Sequence, residues 1–466
     1  MATENTHFGA YEIDKMLQGV DSIYFIGIGG INMSSLAHIT HLRGIRTAGS
    51  DRCRTALTQK LEDAGIKINY SHSAKNINSF GAVVYTVAIS PDNPEYLEAK
   101  RRGIPCISRA DYLGYVMVGY RNRIGVSGMH GKSTCTSMCA TTFMVAGADP
   151  TVLSGAELAL MGGAYRVGGE ENFIFEACEY MDSFLDFNPS IAVILNIEMD
   201  HVDYFHSIEQ VRSSFARFAA ITGKDGYTIA NGDDENVKSA LSDYCGNLLT
   251  FGIENKSSDV RAENIEKKNG LYSFDIVLHG DLLCRVSLSV SGYHNVYNAL
   301  AAIAAAHESG IPTEDIVEGL ANFKGAKRRM EFKGEISGAQ VFDDYGHHPT
   351  EVGATLSGAK NASSGRLICA FQPHTFSRTA ALCDQFKCAF SEADVVILAD
   401  IYAAREENIY GISSEKLAMM IGDKAIYGGT LQGVADLIKK NAREGDMVVV
   451  MGAGDIFKVY KLLELE

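Results

Sequence analysis

The stretch Gly125-Val126-Ser127-Gly128-Met129-His130-Gly131-Lys132-Ser133-Thr134 carries the residue types that hold a polyphosphate. Backbone N–H groups of a glycine loop cradle phosphate oxygens, Lys132 neutralises charge on the β and γ groups, and the Ser133 hydroxyl joins the coordination of Mg2+. A standard P-loop has a glycine where Val126 stands, so the match is to a variant in which Gly125 and Gly128 shape the turn. Acidic and imidazole groups follow where the next two strands are expected to end: Glu176, then Glu198-Met199-Asp200-His201-Val202-Asp203. A triphosphate with Mg2+ needs oxygen donors on the metal, and a carboxylate beside the loop supplies one; His201 is a less usual ligand.

A second glycine turn, Gly27-Ile28-Gly29-Gly30-Ile31-Asn32, has asparagine where the dinucleotide fingerprint has its third glycine. Its glycines still let a diphosphate approach the backbone, and the following helix aims N–H groups and partial positive charge at it. Asp51, at the end of the next strand, is suited to a ribose or base edge. An NAD-dependent dehydrogenase and a tight turn without ligand are both compatible with this stretch. Neither accounts for Gly131-Lys132-Ser133.

These residues need strands and helices to aim them. Short apolar runs over 22–26, 47–51, 82–86 and 104–108, with helical patterns over 31–41 and 94–102, alternate as βα units and imply a parallel sheet. A new unit opens with a strand over 123–127, the Gly-Lys-Ser loop and a helix over 134–145. It continues with strands over 173–176, 191–196, 228–230 and 248–251, a helix over 208–221, an antiparallel pair over 271–277 and 282–290, and an Ala-rich helix over 295–308. Strands over 340–343, 367–371, 395–399 and 447–451 build a third α/β unit, whose ligand site lies at the carboxyl ends of its strands. The boundaries fall near 118 and 329.

Composition narrows the class. The net charge of −15 argues against a protein that grips nucleic acid or an anionic membrane in bulk, so any anionic ligand is held by local geometry. Hydrophobic residues at 46% and charged at 21% fit globular domains with cores. Ten cysteines without a CxxC read as buried small hydrophobes in a reduced cytoplasm. The N-terminal stretch lacks a secretory pattern, and no apolar run reaches membrane-spanning length.

Together, GMHGKST, EACEYMDSFL, NIEMDHVDYF, SGYHNVYNALAA and GAKRRMEF resemble the central ATPase domain of the Mur peptide ligases, which build the bacterial cell-wall precursor. FIGIGG, AGSD and AISPDNPEY are similar to the family's uridine-nucleotide domain; FDDYGHHPTEV, FQPHTFSRT, DIYAARE and GAGDI are similar to its C-terminal domain. Members acting later in the series carry a carbamylated lysine downstream of the DHxD motif, where this chain has Ser213-Ser214-Phe215, so the resemblance is to the alanine-adding branch. The family's glycine-rich continuation after GIGG is replaced by Ile31-Asn32-Met33-Ser34-Ser35. The branch that recycles a murein tripeptide carries a cysteine in this turn, which is absent here.

The resemblance implies an α/β protein of three domains: a Rossmann-like uridine-nucleotide domain (1–118), a P-loop ATPase domain (119–328) and a Rossmann-like amino-acid domain (329–466). It implies ATP-driven joining of L-alanine to UDP-N-acetylmuramate through an acyl phosphate, in a monomer or weak homodimer. Two Mg2+ ions are implied, held by Ser133, Glu176 and His201 and quenching the repulsion between two anions that must meet. Lys132 neutralises the transferred phosphoryl group, and the loop from Gly128 to Thr134 holds ATP with His294, Asn295, Arg328 or Arg329, and Asp343. Gly27, Gly29, Gly30, Ser50, Asp51, Ala88 and Ile89 are assigned to the uridine substrate. Arg378 reads the alanine carboxylate, with Tyr345, His347, His348 and His374 around the amine and His348 positioning or deprotonating it. With ATP on one domain and alanine on another, domain closure is an expected step. A non-catalytic nucleotide sensor on the same scaffold is the alternative outside enzymology; tripeptide attachment is the alternative within it.

Overall fold

The computed structural model describes residues 6–202, 204–268, 270–404 and 406–465. Asp203 and Arg405, each within a motif quoted above, lie outside the described residues. Three sheets follow one another along the chain. The first contains β1 (Ser22–Ile26), β2 (Arg46–Ser50), β3 (Lys67–Asn69), β4 (Ala82–Tyr85) and β5 (Cys106–Ser108), all parallel in the order β3-β2-β1-β4-β5. Its central strand is buried throughout, as strands covered on both faces are.

The second sheet contains β6 (Asn122–Ser127), β7 (Thr151–Leu158), β8 (Gly163–Arg166), β9 (Asn172–Glu176), β10 (Ile191–Ile194), β11 (Tyr227–Asn231), β12 (Asn247–Gly252), β13 (Val260–Lys268), β14 (Leu271–Leu278) and β15 (Asp281–Ser291). The order is β15-β14-β13-β12-β11-β10-β6-β9-β7-β8. Strands β10 and β9 flank β6 in parallel, so the ends of all three open beside the Gly-Lys-Ser loop. The antiparallel pair expected over 271–277 and 282–290 is β14 and β15, with Phe274 opposite Val286.

The third sheet contains β16 (Glu331–Ile336), β17 (Ala339–Asp344), β18 (Leu367–Phe371), β19 (Val395–Ala399), β20 (Ala425–Gly429) and β21 (Met447–Met451). The order is β16-β17-β21-β18-β19-β20, parallel except for β16. Strands β13 and β16 escape periodicity because they are charge-rich, VRAENIEKK and EFKGEI, and only partly buried.

Packing differs between neighbours. One core runs without interruption from the first sheet's helices, through Tyr112, Leu113 and Met117, into the second unit at Phe173, Phe175, Phe184 and Phe187. The third sheet has its own cores on its two faces. The reading of all cysteines as buried is corrected: Cys53, Cys178, Cys245 and Cys388 are exposed, on turns and helix ends where sequence gives little warning. Among the described residues, no helix is long and apolar enough to cross a membrane.

Candidate functional site

Strand β6 delivers the chain to the phosphate loop, and helix Lys132–Val145 leaves it. Gly128 (φ 136) and Gly131 (φ 83) take conformations that side chains disfavour. A Cβ on Gly131 would stand 2.5 Å from the Asn298 side-chain oxygen. Lys132 is folded back over the loop, donating to the Gly128 carbonyl and, at 3.3 Å, to that of Met129. Its ammonium also lies 3.2 Å from Glu179, whose other oxygen is 3.1 Å from His201 Nε2. Burial works to lower the Lys132 pKa, but the Glu179 charge outweighs it and the net shift is upward. Glu179 is lowered: burial opposes its charge, while Lys132 and His201 favour it.

Glu179 is the residue sequence reasoning missed. The expected loop carboxylate, Glu176, ends β9 and instead accepts hydrogen bonds from the Gly155 amide and, at 3.3 Å, the Ser154 hydroxyl. The chain leaves the sheet after Glu176, and the second glutamate of Glu176-Ala177-Cys178-Glu179 is the one set against Lys132 and His201. The His201 imidazole therefore stands against Glu179 here, with Glu176 held by the Ser154–Gly155 turn. The repeated acid in EACE was the available signal. His201 takes φ 49, an uncommon conformation of the kind that clusters at functional sites.

A cavity of about 590 Å3 opens beside the loop. It is lined by His130, Gly131 and Thr134 from the loop, His294 and Asn295 from helix His294–Glu308, and Arg329, Asp344 and Glu351 from beyond the hinge. His294 is pushed down to about 4, by burial first and then by the Arg329 charge, so its ring is neutral and suited to stacking. Asn295 donates 2.6 Å to the Ser291 carbonyl and accepts from Asn298 at 3.0 Å. Arg329 reaches the Ser133 hydroxyl at 3.4 Å.

Two expected cavity residues point elsewhere. Asp343 and Asp344 end β17, and successive strand side chains take opposite faces. Asp343 accepts from Arg328 Nε at 3.2 Å, and that guanidinium also donates 2.7 Å to the Gly452 carbonyl and lies over Tyr345 and Phe457. Arg328 and Asp343 therefore brace the third unit, while Arg329 and Asp344 face the cavity. Burial raises Asp344 to about 6.

The third unit meets the loop through charges. Glu198 accepts 2.6 Å from the Thr350 hydroxyl and lies 3.4 Å from His130 Nε2; His130 Nδ1 lies 3.5 Å from Glu351. Burial works to lower His130, but Glu198 and Glu351 push it up to about 9. Arg378, on helix Phe376–Ala381, donates 2.8 Å from Nε to Asp200 of the central unit and lies 3.2 Å from His374 Nδ1. Asp200 is held well below the usual carboxylate range: burial opposes this, and Arg378 overcomes it. His374 stacks on Tyr402, which sequence reasoning did not single out. His347 lies edge-on to Tyr345 and His374, and burial and Arg378 lower it to about 4 despite Glu351.

His348 is 1% exposed and caps helix Pro349–Ala362, its Nδ1 accepting from the Thr350 amide at 3.3 Å while Nε2 lies 3.4 Å from the Met199 carbonyl. Both ring nitrogens are thus engaged by backbone groups in this arrangement.

The first glycine turn forms a separate pocket. Gly27, Gly30, Asp51, Ala88 and Ile89 line it, together with the unanticipated Arg52 and His72. Gly29 and Ser50 support it from behind. The Gly29 amide donates 2.8 Å to Asp51, and a Cβ there would collide with that carboxylate at 2.7 Å. Ser50 is fully buried and donates 2.6 Å to Glu95, which leaves its hydroxyl committed.

Family models match in three consecutive stretches: "Mur ligase family, catalytic domain" over 22–121, "Mur ligase middle domain" over 126–306 and "Mur ligase, glutamate ligase domain" over 328–454. The chain is 44% identical over 441 residues to a UDP-N-acetylmuramate–L-alanine ligase of Clostridium acetobutylicum, covering 94% of this chain and 96% of that one. It is 45% identical over 452 residues to the ligase of the same name from Caldanaerobacter subterraneus subsp. tengcongensis, covering 96% and 98%. Among solved structures, a UDP-N-acetylmuramate-alanine ligase of Thermotoga maritima superposes with a TM-score of 0.77 at 27% identity over 95% of this chain and 98% of that one. A murein peptide ligase of Psychrobacter arcticus gives 0.68 at 25% over 95% and 98%. The chain belongs to the Mur ligase family.

Proposed function

We propose that this chain is the ATP-dependent ligase that joins L-alanine to the lactyl carboxylate of UDP-N-acetylmuramate, releasing ADP and phosphate. The observation that carries the reading is the buried Lys132–Glu179–His201 chain, set beside the seam that brings Arg378 and His374 to the same edge. The names of the relatives support the substrate assignment. The three sheets support dividing the chain into uridine-nucleotide (1–118), ATP (119–328) and amino-acid (329–466) domains.

In this reading the muramate carboxylate attacks the γ-phosphoryl group, giving an acyl phosphate and ADP. That step calls for positioning and charge neutralisation more than covalent help. Lys132 meets the phosphoryl oxygens, His130 donates from within the loop, and Arg329 approaches from the third unit. The Ser133 hydroxyl, Glu176, Glu179 and His201 are the oxygen and imidazole groups near the loop that would hold Mg2+. When bound there, Mg2+ supplies Lewis-acid neutralisation of the phosphates. Neutral His294 and Asn295 suit the adenine, and Asp344 replaces Asp343 as the acid facing the nucleotide. The alanine amine then attacks the acyl phosphate, forming the amide and expelling phosphate. Arg378 orients the alanine carboxylate, Asp200 aims the guanidinium, and His347 and His374 surround the amine.

Phosphate release from ATP tests the proposal: it is expected only with UDP-N-acetylmuramate and L-alanine together. Release with neither acceptor, or with a murein tripeptide in place of alanine, overturns it; nucleotide binding without release assigns a sensor.

A further inference from the structure

Away from the loop, two buried carboxylates face one another across the junction of the first and second units. Asp111 stands in the first turn of helix Arg109–Met117 and is 1% exposed. Its Oδ2 accepts from the Thr6 hydroxyl and, at 2.9 Å, from the Phe8 amide; its Oδ1 is buried without a hydrogen-bond partner. Asp186 closes the segment Tyr180–Asp186 of the second unit, with its Oδ1 2.8 Å from His7 Nδ1 and its Oδ2 likewise buried and unpartnered. Among the described residues, neither carboxylate is ion-paired to Lys or Arg. Two unsatisfied oxygens on two buried acids are costly unless a ligand accounts for them.

One ligand atom from each of His7, Asp111 and Asp186 falls within 4.8 Å of the others. Donors bound at about 2.0–2.2 Å to one ion lie roughly 3–4 Å apart, so little adjustment brings the three into a coordination shell. Two carboxylates balance a divalent charge, and an imidazole beside them favours the zinc and manganese class over calcium. His7 keeps 63% of its side chain exposed, which leaves a route from solvent.

We propose that His7, Asp111 and Asp186 form a structural binding site for a divalent cation of the zinc class, which ties the N-terminal arm to both the first and the second unit. The test is equilibrium dialysis of the chelated full chain against zinc chloride alone, with metal content read by elemental analysis. Wild type is expected to hold one zinc more than His7→Ala or Asp186→Asn, and each variant to lose at least about tenfold in affinity at that site. The His130, Glu198 and His348 cluster is common to all three proteins, so the difference isolates the new site. His7→Ala removes an exposed side chain and keeps the test valid if Asp186→Asn fails to fold. Equal zinc in wild type and His7→Ala overturns the proposal, as does a wild type that binds none and retains a proton between the two carboxylates.

Discussion

The two seams of the molecule are built from different chemistry. Between the first and second units the contact is apolar: Tyr112, Leu113, Phe184 and Phe187 belong to one continuous core, and Gly114 lies under the Asp186 backbone. Between the second and third units it is polar: Arg378 with Asp200, Thr350 with Glu198, and His130 with Glu351. An apolar seam holds its members rigidly, because opening it exposes hydrocarbon to water. A seam of charges exchanges its partners for water or substrate at lower cost. The contrast predicts that any domain closure takes place at the second seam, with the first as a fixed platform.

The largest effect is expected at Lys132. Lys132→Ala should lower ATP-dependent phosphate release on the order of a thousandfold. It should also destabilise the fold, because it leaves the buried Glu179 with His201 as its remaining side-chain partner. Nucleotide affinity and melting measured beside turnover separate the two effects. Retained turnover would remove the loop lysine from the chemistry.

Next comes the polar seam. Arg378→Lys keeps the charge but loses the planar fork, and kcat/KM for L-alanine should fall roughly a hundredfold. Asp200→Asn should shift the same parameter by less, with KM for the uridine substrate unchanged in both. An unchanged alanine KM in Arg378→Lys would reduce Arg378 to a seam brace. At the apolar seam, a Cβ on Gly114 would stand 2.1 Å from the Asp186 carbonyl oxygen, so Gly114→Ala should cost about 1–3 kcal/mol. Turnover per folded molecule should hold. If Gly114→Ala instead abolished turnover at unchanged stability, the first seam would be the moving one.

The pH dependence separates the seams by a smaller margin. His130 is raised from 6.5 to about 9 at the polar seam. Its contribution is fully present below pH 6.5 and is lost as pH rises through about 9, so the third unit should loosen over that window. Small-angle scattering should show the radius of gyration rising, and His130→Ala should flatten the change. The smallest effect is expected at Ser50, whose hydroxyl is committed to Glu95. Ser50→Ala should cost about 1 kcal/mol of stability and leave KM for UDP-N-acetylmuramate unchanged.

Much of this was legible in the residues. Glycine punctuation and apolar runs marked the strands around both glycine turns, since a loop that binds phosphate must sit between a strand and a helix. The antiparallel pair β14 and β15 showed in its alternation. Strands β13 and β16 did not, because half-exposed charged strands lack a clear period. In the site, a motif indicates which segment is involved but not which neighbour turns inward. Glu176 and Glu179 stand three residues apart, Asp343 and Asp344 side by side, and Arg328 and Arg329 likewise. In each case the chain's exit from its strand or hinge selected the residue that faces Lys132 or the cavity beside the loop.

Residue order alone carries the family, the α/β class, the phosphate loop with Lys132 and Ser133, and the set of histidines and arginines available to the third unit. These follow from local spacing, which a strand, a turn and a helix translate directly into geometry. Packing in three dimensions pairs Lys132 with Glu179, locks His348 on its own helix, rests Arg378 on Asp200, and brings Asp111 and Asp186 together. Those contacts join segments distant in the chain. Their partners are set by how sheets and helices pack, and a short stretch of sequence carries no record of that packing.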